Sequence, residues 1–365
     1  MLTKKKSANH KVGVILASFC PPHTGHLNLI EYALDKVDQL YVIVVDRDGQ
    51  QPYAHGRLGW LKEYFPQESR IEWRSIYMNR QAAVLVAGKR TWAERVLDLL
   101  PHHPDITFAC AHYDIEIGNY ADLARQMQCS YSYHAAGAIE VTEGQLRTYP
   151  EKYWKYILKS SRPYYAKRLV LVGASHTGKT SLAQALAKHF KTVVAEDWMS
   201  TYVTERGYTE EQIRKDTDLF ALATYQQPVV ENDAACDSPT GLVICDTDLT
   251  QVAAMHEYLN GGKNSPEIIR AHQTQRRSYR ENALYLLSWH DNDWHREGES
   301  GQSHQVGTRA WFSQRLMTFI DQCDDPLRIM SGTWEERLQI AIKTCEDRLL
   351  DDDFHMLAEY GHVYL

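Results

Sequence analysis

Runs of consecutive apolar residues alternate with amphipathic stretches along most of the chain. Residues 11–16 (KVGVIL) predict a strand, residues 26–36 a helix and residues 39–45 (QLYVIVV) a second strand. A strand, a helix and a strand within about 35 residues form a βαβ unit, and such units build parallel sheets. The same alternation predicts further strands at residues 71–76, 106–110 and 130–133, and helices at residues 81–100 and 120–128.

The alternation is interrupted at residues 149–167, an aromatic and basic stretch that contains Pro150 and Pro163 and predicts a short helix with a connector. Beyond it the pattern restarts. It predicts strands at residues 168–172, 192–195, 242–245, 283–287 and 327–330, and helices at residues 181–190, 210–233, 266–279, 309–322 and 334–350. The chain is therefore predicted to be α/β, with a parallel sheet in each of two domains, residues 1–148 and residues 167–365, joined by a linker at residues 149–166.

Composition narrows the class of protein. Of the 365 residues, 44% are apolar and 24% are charged, which indicates a folded globular chain, and the net charge of −7 disfavours nucleic acid as a partner. The polar start is not a signal peptide, and no long apolar run is present, so we expect no membrane partner. Seven scattered cysteines without C-x-x-C spacing indicate reduced thiols and a cytoplasmic location. The composition leaves a homo-oligomer open.

Residues 173–180 (GASHTGKT) match the P-loop pattern G-x-x-x-x-G-K-[ST], with an apolar strand before them and a helix-forming run after them. Glycines allow successive backbone N–H groups to surround a phosphate, the lysine reaches the β- and γ-phosphates, and the threonine hydroxyl binds Mg²⁺. The motif predicts an enzyme that binds ATP and Mg²⁺ and transfers phosphate. Its expected contacts are Gly173, Ser175, Thr177, Gly178, Lys179, Thr180 and Ser181.

Carboxylates follow two strands of the second predicted domain. Asp246 ends the run LVICD and is the expected metal-side residue, while Asp248 could face substrate. Glu196 and Asp197 follow another strand, so that one of them, with Glu196 as the candidate, could act as general base towards a substrate hydroxyl. An ordinary strand-end turn is the alternative for Asp246, and solvated turn residues are the alternative for Glu196 and Asp197.

A second motif, H-x-G-H, follows the first predicted strand and opens a helix. His23 and His26 can direct their rings to one bound anion and stabilise a leaving pyrophosphate, and Gly25 allows phosphates a close approach. The alternatives are a zinc pair or two surface histidines. Zinc is disfavoured because a zinc site needs further ligands and none lies nearby in the sequence.

The segment ASFCPPHTGH resembles the nucleotidyltransferase signature G-x-F-x-P-x-H-x-G-H, with Ala17 in place of the first glycine. Followed by a P-loop unit, it resembles the bifunctional nicotinamide-mononucleotide adenylyltransferase/ribosylnicotinamide kinase family, the NadR type. The junction LRTYPEKYWKYILKSSRPYYAKRLVLVGASHTGKTSL and the segment DTDLTQVAAMHEY are also similar to that family. The resemblance extends over residues 11–350.

The resemblance implies a Rossmann-like nucleotidyltransferase domain followed by a P-loop kinase domain. The kinase would phosphorylate the 5′-hydroxyl of nicotinamide riboside with ATP, giving nicotinamide mononucleotide (NMN). The first domain would join NMN to the adenylyl group of ATP, giving NAD and pyrophosphate. Some family members begin with a helix-turn-helix repressor domain. Because the first predicted strand begins at Lys11, we expect no such domain here.

The resemblance also assigns site residues in the first domain. Phe19, Gly25 and Arg147 would contact ATP, and Arg57, Trp60 and Trp92 would lie on the substrate side, although core packing would explain the tryptophans equally well. The family's second signature, I-S-x-T-x-I-R, corresponds to residues 141–147 (VTEGQLR), in which Gly144 replaces the second hydroxyl. Glu143 places a negative charge beside the triphosphate site, which predicts weaker ATP binding unless the side chain points away.

In the second domain, the family's lid sequence W-x-D-D-G-L-R resembles DNDWHREGESGQ, which keeps Trp294 and Gly298 but lacks the final arginine. Arg296 or Arg309 could supply the γ-phosphate contact. Arg337 matches a family arginine that could stack on adenine, with a solvated helix face as the alternative. Two other functions stay open: a kinase or nucleotidyltransferase for another small nucleoside or phosphorylated metabolite, and a non-catalytic nucleotide or NAD sensor.

Overall fold

The computed structural model describes residues 10–78, 91–100, 106–110, 120–134, 141–279, 282–291, 306–323 and 325–350. The chain divides into two compact units. The first contains the residues up to Thr148 together with Lys155–Ser161, and the second contains Tyr149–Trp154 and the residues from Arg162 onward. The segment predicted as a single linker, residues 149–166, is therefore shared between the two units.

The first unit is built on a five-stranded sheet with the order β3-β2-β1-β4-β5, and all of its strand pairs are parallel. Its strands are β1 (Val12–Ala17), β2 (Gln39–Arg47), β3 (Ile71–Met78), β4 (Ile106–Cys110) and β5 (Ser130–Tyr133). Its helices are α1 (Thr24–Leu34), α2 (Ala54–Lys62), α3 (Trp92–Leu97), α4 (Tyr120–Gln126) and α5 (Glu143–Thr148), and a 3-10 turn lies at Lys159–Ser161.

The second unit contains another five-stranded parallel sheet, with the order β10-β9-β6-β8-β7. Its strands are β6 (Lys167–Gly173), β7 (Val193–Ala195), β8 (Leu242–Cys245), β9 (Ala283–Ser288) and β10 (Leu327–Met330). Its helices are α6 (Arg162–Tyr165), α7 (Lys179–Phe190), α8 (Trp198–Glu205), α9 (Glu210–Lys215), α10 (Thr217–Asp237), α11 (Leu249–Leu259), α12 (Pro266–Tyr279), α13 (Val306–Asp321) and α14 (Trp334–Arg348). The prediction of an α/β fold with parallel sheets is confirmed.

Side-chain alternation along the central strands explains how each sheet is covered on both faces. In β1, Val14 and Leu16 join one core cluster while Ile15 and Ala17 join the other. All six β1 residues are buried, as expected for a strand between two helix layers. In the second unit, β6 is likewise buried along its whole length. These buried strands place the loops at their carboxyl ends, where the two sequence motifs begin.

Two predicted helices differ in their bounds from those of the structure. The helix predicted over residues 210–233 is two helices, α9 and α10, because Asp216 adopts an extended conformation between them. Its carboxylate accepts hydrogen bonds from the first backbone N–H groups of α10, which makes it the helix cap. Of the helix predicted at residues 81–100, α3 forms part, and residues 81–90 lie outside the described residues. Among the described residues, no helix has the length and apolar character needed to cross a bilayer.

Candidate functional site

The P-loop connects the central strand β6 to α7 in the second unit. Gly173 has a φ of +148°, and a Cβ there would lie 2.7 Å from the carbonyl oxygen of Ser288 on β9. Gly178 caps α7 in the left-handed region with a φ of +82°. Both positions therefore require glycine, for close approach in the first case and for backbone conformation in both. The strand, loop and helix have the arrangement that the motif predicted.

Lys179 lies at the start of α7 with its side chain turned back over the loop. Its ammonium donates to the carbonyl oxygens of Gly173 and Ala174, both at 2.9 Å. Burial lowers the pKa of Lys179, while the carboxylates of Asp246 and Asp197 oppose that shift. The lysine is thus positioned at the loop that the motif assigns to phosphate.

Two carboxylates face this lysine. Asp246, just after β8, is hydrogen-bonded to the Thr180 hydroxyl, and burial raises its pKa while that bond and Lys179 lower it. Asp197, just after β7, has its pKa raised to about 6, mainly by burial and further by Asp246, against the Ser200 N–H group and Lys179. The structure therefore brings Lys179, Thr180, Asp197 and Asp246 together, including both residues predicted to hold the metal.

The candidate base predicted from the sequence, Glu196, differs from its neighbour in its surroundings. Its side chain is exposed, whereas its neighbour Asp197 interacts with Lys179 and Asp246. Asp197 also caps α8 by accepting the Ser200 N–H at 2.9 Å, and this cap fixes the direction of its carboxylate. The carboxylate that the structure brings beside Lys179 is therefore that of Asp197, the neighbour of the predicted Glu196. The spacing of Asp197 and Ser200 at a helix start is a capping signal in the sequence that could have identified it.

Asp248, predicted to face substrate, is fully buried. It caps α11 through the Thr250 N–H at 2.8 Å and also accepts the hydroxyls of Thr250 and Tyr285. Arg276 lies 3.7 Å from the same carboxylate. Because its oxygens are bonded within the fold, Asp248 is a structural cap, and the substrate role is corrected.

Two glutamines that sequence reasoning missed hold the loops of this site. Gln251 bonds both backbone groups of Gly173, at 3.2 Å to its N–H and 3.1 Å to its carbonyl. Gln227 accepts the Trp198 N–H at 2.9 Å and donates to the Glu196 carbonyl at 3.3 Å. No local motif marks these side chains, because their partners lie on other elements.

The remaining predicted contacts of the second unit differ in exposure. Ser175, Thr180 and Ser181 are exposed at the loop, whereas the Thr177 hydroxyl is buried and donates to the Ala174 carbonyl at 2.8 Å. Arg337 is buried and pairs with Asp291, and its Nε donates to the Gly332 carbonyl at 3.0 Å. Base stacking by Arg337 is therefore corrected to a structural ion pair. Arg309 lies half-buried on α13. The predicted lid residues Trp294, Arg296 and Gly298 lie outside the described residues.

In the first unit, the H-x-G-H segment forms the start of α1 at the carboxyl end of β1. The rings of His23 and His26 stack, with centroids 3.7 Å apart and an interplanar angle of 29°. Gly25 lies between them in the first turn, and the ring of Phe19 is 4.6 Å from that of His26. Burial lowers the pKa of His26 to about 3 and that of His23 well below its usual value, so both imidazoles are neutral. The predicted histidine pair is brought together.

Glu143 points into this site. Its carboxylate accepts the Ser18 hydroxyl, lies 3.3 Å from the Cys20 N–H and lies 3.1 Å from Nε2 of His26. Polar atoms of His23, His26 and Glu143 all lie within 4.8 Å of one another, so the fold brings a third potential ligand, distant in the sequence, to the histidine pair. Arg147, on the same short helix, donates to the Cys20 carbonyl at 2.9 Å.

The three residues predicted to contact substrate in the first unit make contacts within the fold. Arg57 is fully buried and donates to the carbonyls of Ser18, Pro52 and Val45 and to Asp46, so its substrate role is corrected. Trp92 packs against the core cluster of α3 and α4, which fits the packing alternative. Trp60 is half-buried on α2, and its carbonyl accepts the Ser160 hydroxyl at 3.0 Å.

The chain is similar in sequence to a known domain family and to NadR proteins. A family model described as an AAA domain matches residues 168–337, the P-loop unit. The protein "Trifunctional NAD biosynthesis/regulator protein NadR" of Escherichia coli (strain K12) is 25% identical over 270 residues, which cover 68% of this chain and 63% of the relative. The chain is a relative of the NadR proteins. The NadR of Salmonella typhimurium (strain LT2) is 22% identical over 269 residues with the same coverage. The chain spans less than two thirds of the length of these two NadR proteins.

Solved NadR structures share the fold. One, of a NadR protein in complex with NAD and AMP-PNP, has a TM-score of 0.69 and 20% identity, and the match covers 93% of this chain and 96% of that one. Another, of a NadR protein in complex with NR, has a TM-score of 0.69 and 19% identity, with 94% and 97% covered. At these identities the likeness establishes the architecture of both units, and the chemistry of this chain rests on its own residues.

Proposed function

We propose that the second unit transfers the γ-phosphoryl group of ATP to the 5′-hydroxyl of nicotinamide riboside, giving NMN. The observation that carries this proposal is the convergence of Lys179, Thr180, Asp197 and Asp246 at the P-loop. The choice of substrate is based on the similar NadR proteins. One NadR structure is a complex with NR, and another is a complex with NAD and the ATP analogue AMP-PNP. In this proposal the chain takes part in NAD biosynthesis.

Each residue of the cluster has one task in this reaction. Backbone N–H groups of the loop and the Lys179 ammonium bind the β- and γ-phosphates and stabilise the charge that they carry in the transition state. Asp197 accepts the proton of the attacking 5′-hydroxyl, and its pKa of about 6 leaves the carboxylate ionised at neutral pH. Thus the general base and the phosphate ligand face each other at one end of the sheet.

The residues present also fit Mg²⁺. The Thr180 hydroxyl and the Asp246 carboxylate are hydrogen-bonded to each other, and oxygen ligands of this kind are those that Mg²⁺ prefers. When bound, the metal neutralises phosphate charge and orients the γ-phosphate. Thr180 and Asp246 would hold it, directly or through water.

Product analysis tests the kinase proposal. Incubation with Mg²⁺, ATP and nicotinamide riboside, followed by chromatography, should give NMN and ADP. Lys179→Ala should reduce the rate by about 100-fold or more, because it removes a donor to the transferring phosphate. Lys188→Ala is the matched control, since Lys188 is exposed near the other end of the same helix. Turnover of other nucleosides but not of nicotinamide riboside would transfer the proposal to another substrate, and absence of any ATP consumption would favour a nucleotide sensor.

Adenylyl transfer from ATP to NMN, giving NAD and pyrophosphate, is a second candidate function. The observation that favours it is the neutral, stacked pair of His23 and His26 at the carboxyl end of β1. NAD and pyrophosphate in the same incubation would support this activity, whereas accumulation of NMN alone would mean that only the kinase works.

A further inference from the structure

A protein carboxylate lies at the position where the H-x-G-H segment is expected to receive phosphate. Glu143 is 2% exposed, its two oxygens accept the Ser18 hydroxyl and the Cys20 N–H, and Nε2 of His26 lies 3.1 Å from one of them. Ser18 and Glu143 are 125 residues apart in the chain. Donors from the β1 loop and from α1 thus converge on one buried anion, which is the arrangement that binds an oxyanion of a ligand.

The backbone before the motif supports this arrangement. Phe19 has a φ of +52°, in the left-handed region that residues other than glycine rarely adopt. The next N–H, that of Cys20, is the one directed at the Glu143 carboxylate. Unusual backbone conformations of this kind concentrate at functional sites, where they direct a backbone group at a ligand.

The protonation of His26 distinguishes an anion position from a metal centre. Its Nδ1 accepts the His23 N–H at 3.3 Å, and its lowered pKa makes the ring neutral, so the ring proton is on Nε2. In this tautomer Nε2, which lies 3.1 Å from a Glu143 oxygen, offers no lone pair to an ion. The stacked rings of His23 and His26 oppose a shared metal as well, because an ion in the plane of one ring would lie outside the plane of the other.

We propose that Glu143 fills the phosphate-binding position of the first unit, and that it thereby determines that this unit does not take a nucleoside triphosphate. A triphosphate would have to displace the carboxylate from its donors or bind beside a like charge in a buried site. This inference concerns only the first unit, so it argues against the adenylyl-transfer candidate and is independent of the kinase proposal.

Equilibrium dialysis of the full chain with Mg²⁺ and a non-hydrolysable ATP analogue tests it. All variants carry Lys179→Ala, which weakens binding at the P-loop. We expect no high-affinity site in this background and one site per chain when Glu143→Ala is added, with affinity at least about 100-fold higher. Glu63→Ala, which removes an exposed carboxylate of the first unit, is the control and should add none.

Glu143→Gln distinguishes the effect of the negative charge from the effect of the side chain's filling the phosphate-binding position. Glutamine keeps the volume and one acceptor oxygen but loses the charge. It should give a smaller gain than Glu143→Ala, and unchanged thermal unfolding would show that it folds. The proposal is overturned if the chain with Glu143 binds the analogue as tightly as Glu143→Ala does, or if folded Glu143→Ala and Glu143→Gln both gain nothing. One equivalent of Zn²⁺ bound by the unaltered chain and lost in Glu143→Gln would also overturn it, in favour of a metal site. If the kinase proposal fails, these outcomes keep their meaning.

Discussion

At the scale of single residues, the second unit shows how neighbours in sequence take different roles. Glu196 and Asp197 both follow β7, and both carry a carboxyl group. The Asp197 carboxylate interacts with Lys179 and Asp246. Its position is fixed because the side chain caps α8. The two residues are alike in type, and what distinguishes them is the direction of the Asp197 side chain, which the start of α8 determines.

The first residue-scale prediction concerns that pair. Asp197→Asn should lower the rate of phosphoryl transfer by about 10²-fold or more, because the 5′-hydroxyl loses its proton acceptor. The steady-state rate with saturating ATP and nucleoside would measure this. Glu196→Gln is the matched control, and its rate should stay near that of the unaltered chain. A loss confined to Glu196→Gln would reverse the assignment.

The pKa of Asp197 gives the same residue a pH dependence. Burial and Asp246 raise this pKa to about 6, and a general base works only when ionised, so the rate should rise with pH through about 6 and level off above it. The pH profile of the phosphoryl-transfer rate measures this. In Asp197→Asn the rise should disappear from the residual rate. A profile of the unaltered chain that is flat between pH 5 and 7 would contradict the assignment.

Sequence reasoning predicted the residues of the two motifs and missed those whose role depends on distant contacts. Lys179, Thr180 and Asp246 are set by local patterns, since a strand, a glycine loop and a helix position them. Glu143 was recognised only as a charge near ATP, because its contact with His26 depends on how α5 packs against the β1 loop. Likewise, Arg57 could not be separated from a substrate ligand until its four partners were known.

At the scale of elements, a buried chain of side chains connects α10 and α12 to the loops of the kinase site. Glu231 on α10 accepts from Gln227 at 3.2 Å and from Gln275 at 3.1 Å. Gln227 bonds the loop after β7, and Gln275 accepts the Leu249 N–H at the start of α11 at 3.0 Å. The two loops that follow β7 and β8 therefore share one support.

This support should make stability depend on pH. Burial raises the pKa of Glu231 to about 8, with a further rise from Asp248 and an opposing effect of Arg168. The folded state thus keeps a proton that the unfolded state releases near pH 4.5, so the contribution of Glu231 to stability is fully present below that pH. It should fall by about 1.4 kcal/mol per pH unit as pH rises towards 8, and then level off.

Thermal unfolding of the second unit between pH 5 and 9 measures this dependence. Glu231→Gln should flatten it, because a glutamine keeps an acceptor for the two neighbouring amides without titrating. Glu205→Gln, at an exposed position on α8, should leave it unchanged. An equal slope in Glu231→Gln and the unaltered chain would show that other groups set the pH dependence.

Element boundaries were predicted correctly where polar sequence bounds an apolar or aromatic run. They were missed where a polar capping residue determines the start of a helix. Strands β4 and β5 were predicted to the residue, because their apolar or aromatic runs are bounded by polar sequence. The break between α9 and α10 was missed, since the helical pattern continues through Asp216 and only its cap divides it. Helices α8 and α11 are capped by Asp197 and Asp248, and they were missed because those aspartates were interpreted as candidates for the site.

At the scale of the whole molecule, the two units have separate hydrophobic cores. The clusters around β1 and β2 contain only residues of the first unit, and the cluster around β6 and β9 only residues of the second. Each sheet therefore has the apolar interior that cooperative unfolding requires.

Differential scanning calorimetry tests this division. We expect two unfolding transitions, because each core is complete within its own unit. An ATP analogue with Mg²⁺ at 100 times its Kd should stabilise only the transition of the second unit, by about 2.7 kcal/mol. Lys179→Ala should weaken that shift, and Lys188→Ala should preserve it. A single transition that moves as a whole with ligand would mean that the units unfold together.

The path of the chain between the units restricts how the gene could be divided into two. The strand-like residue Ile157 pairs with His23, and Leu158 belongs to the core cluster of the first unit, although both follow the first six residues of the second unit in the sequence. A gene divided after the codon for Thr148 would encode an N-terminal protein without these two supports. No single division of the reading frame yields both units intact, so we expect the two units to be kept or lost together as one gene.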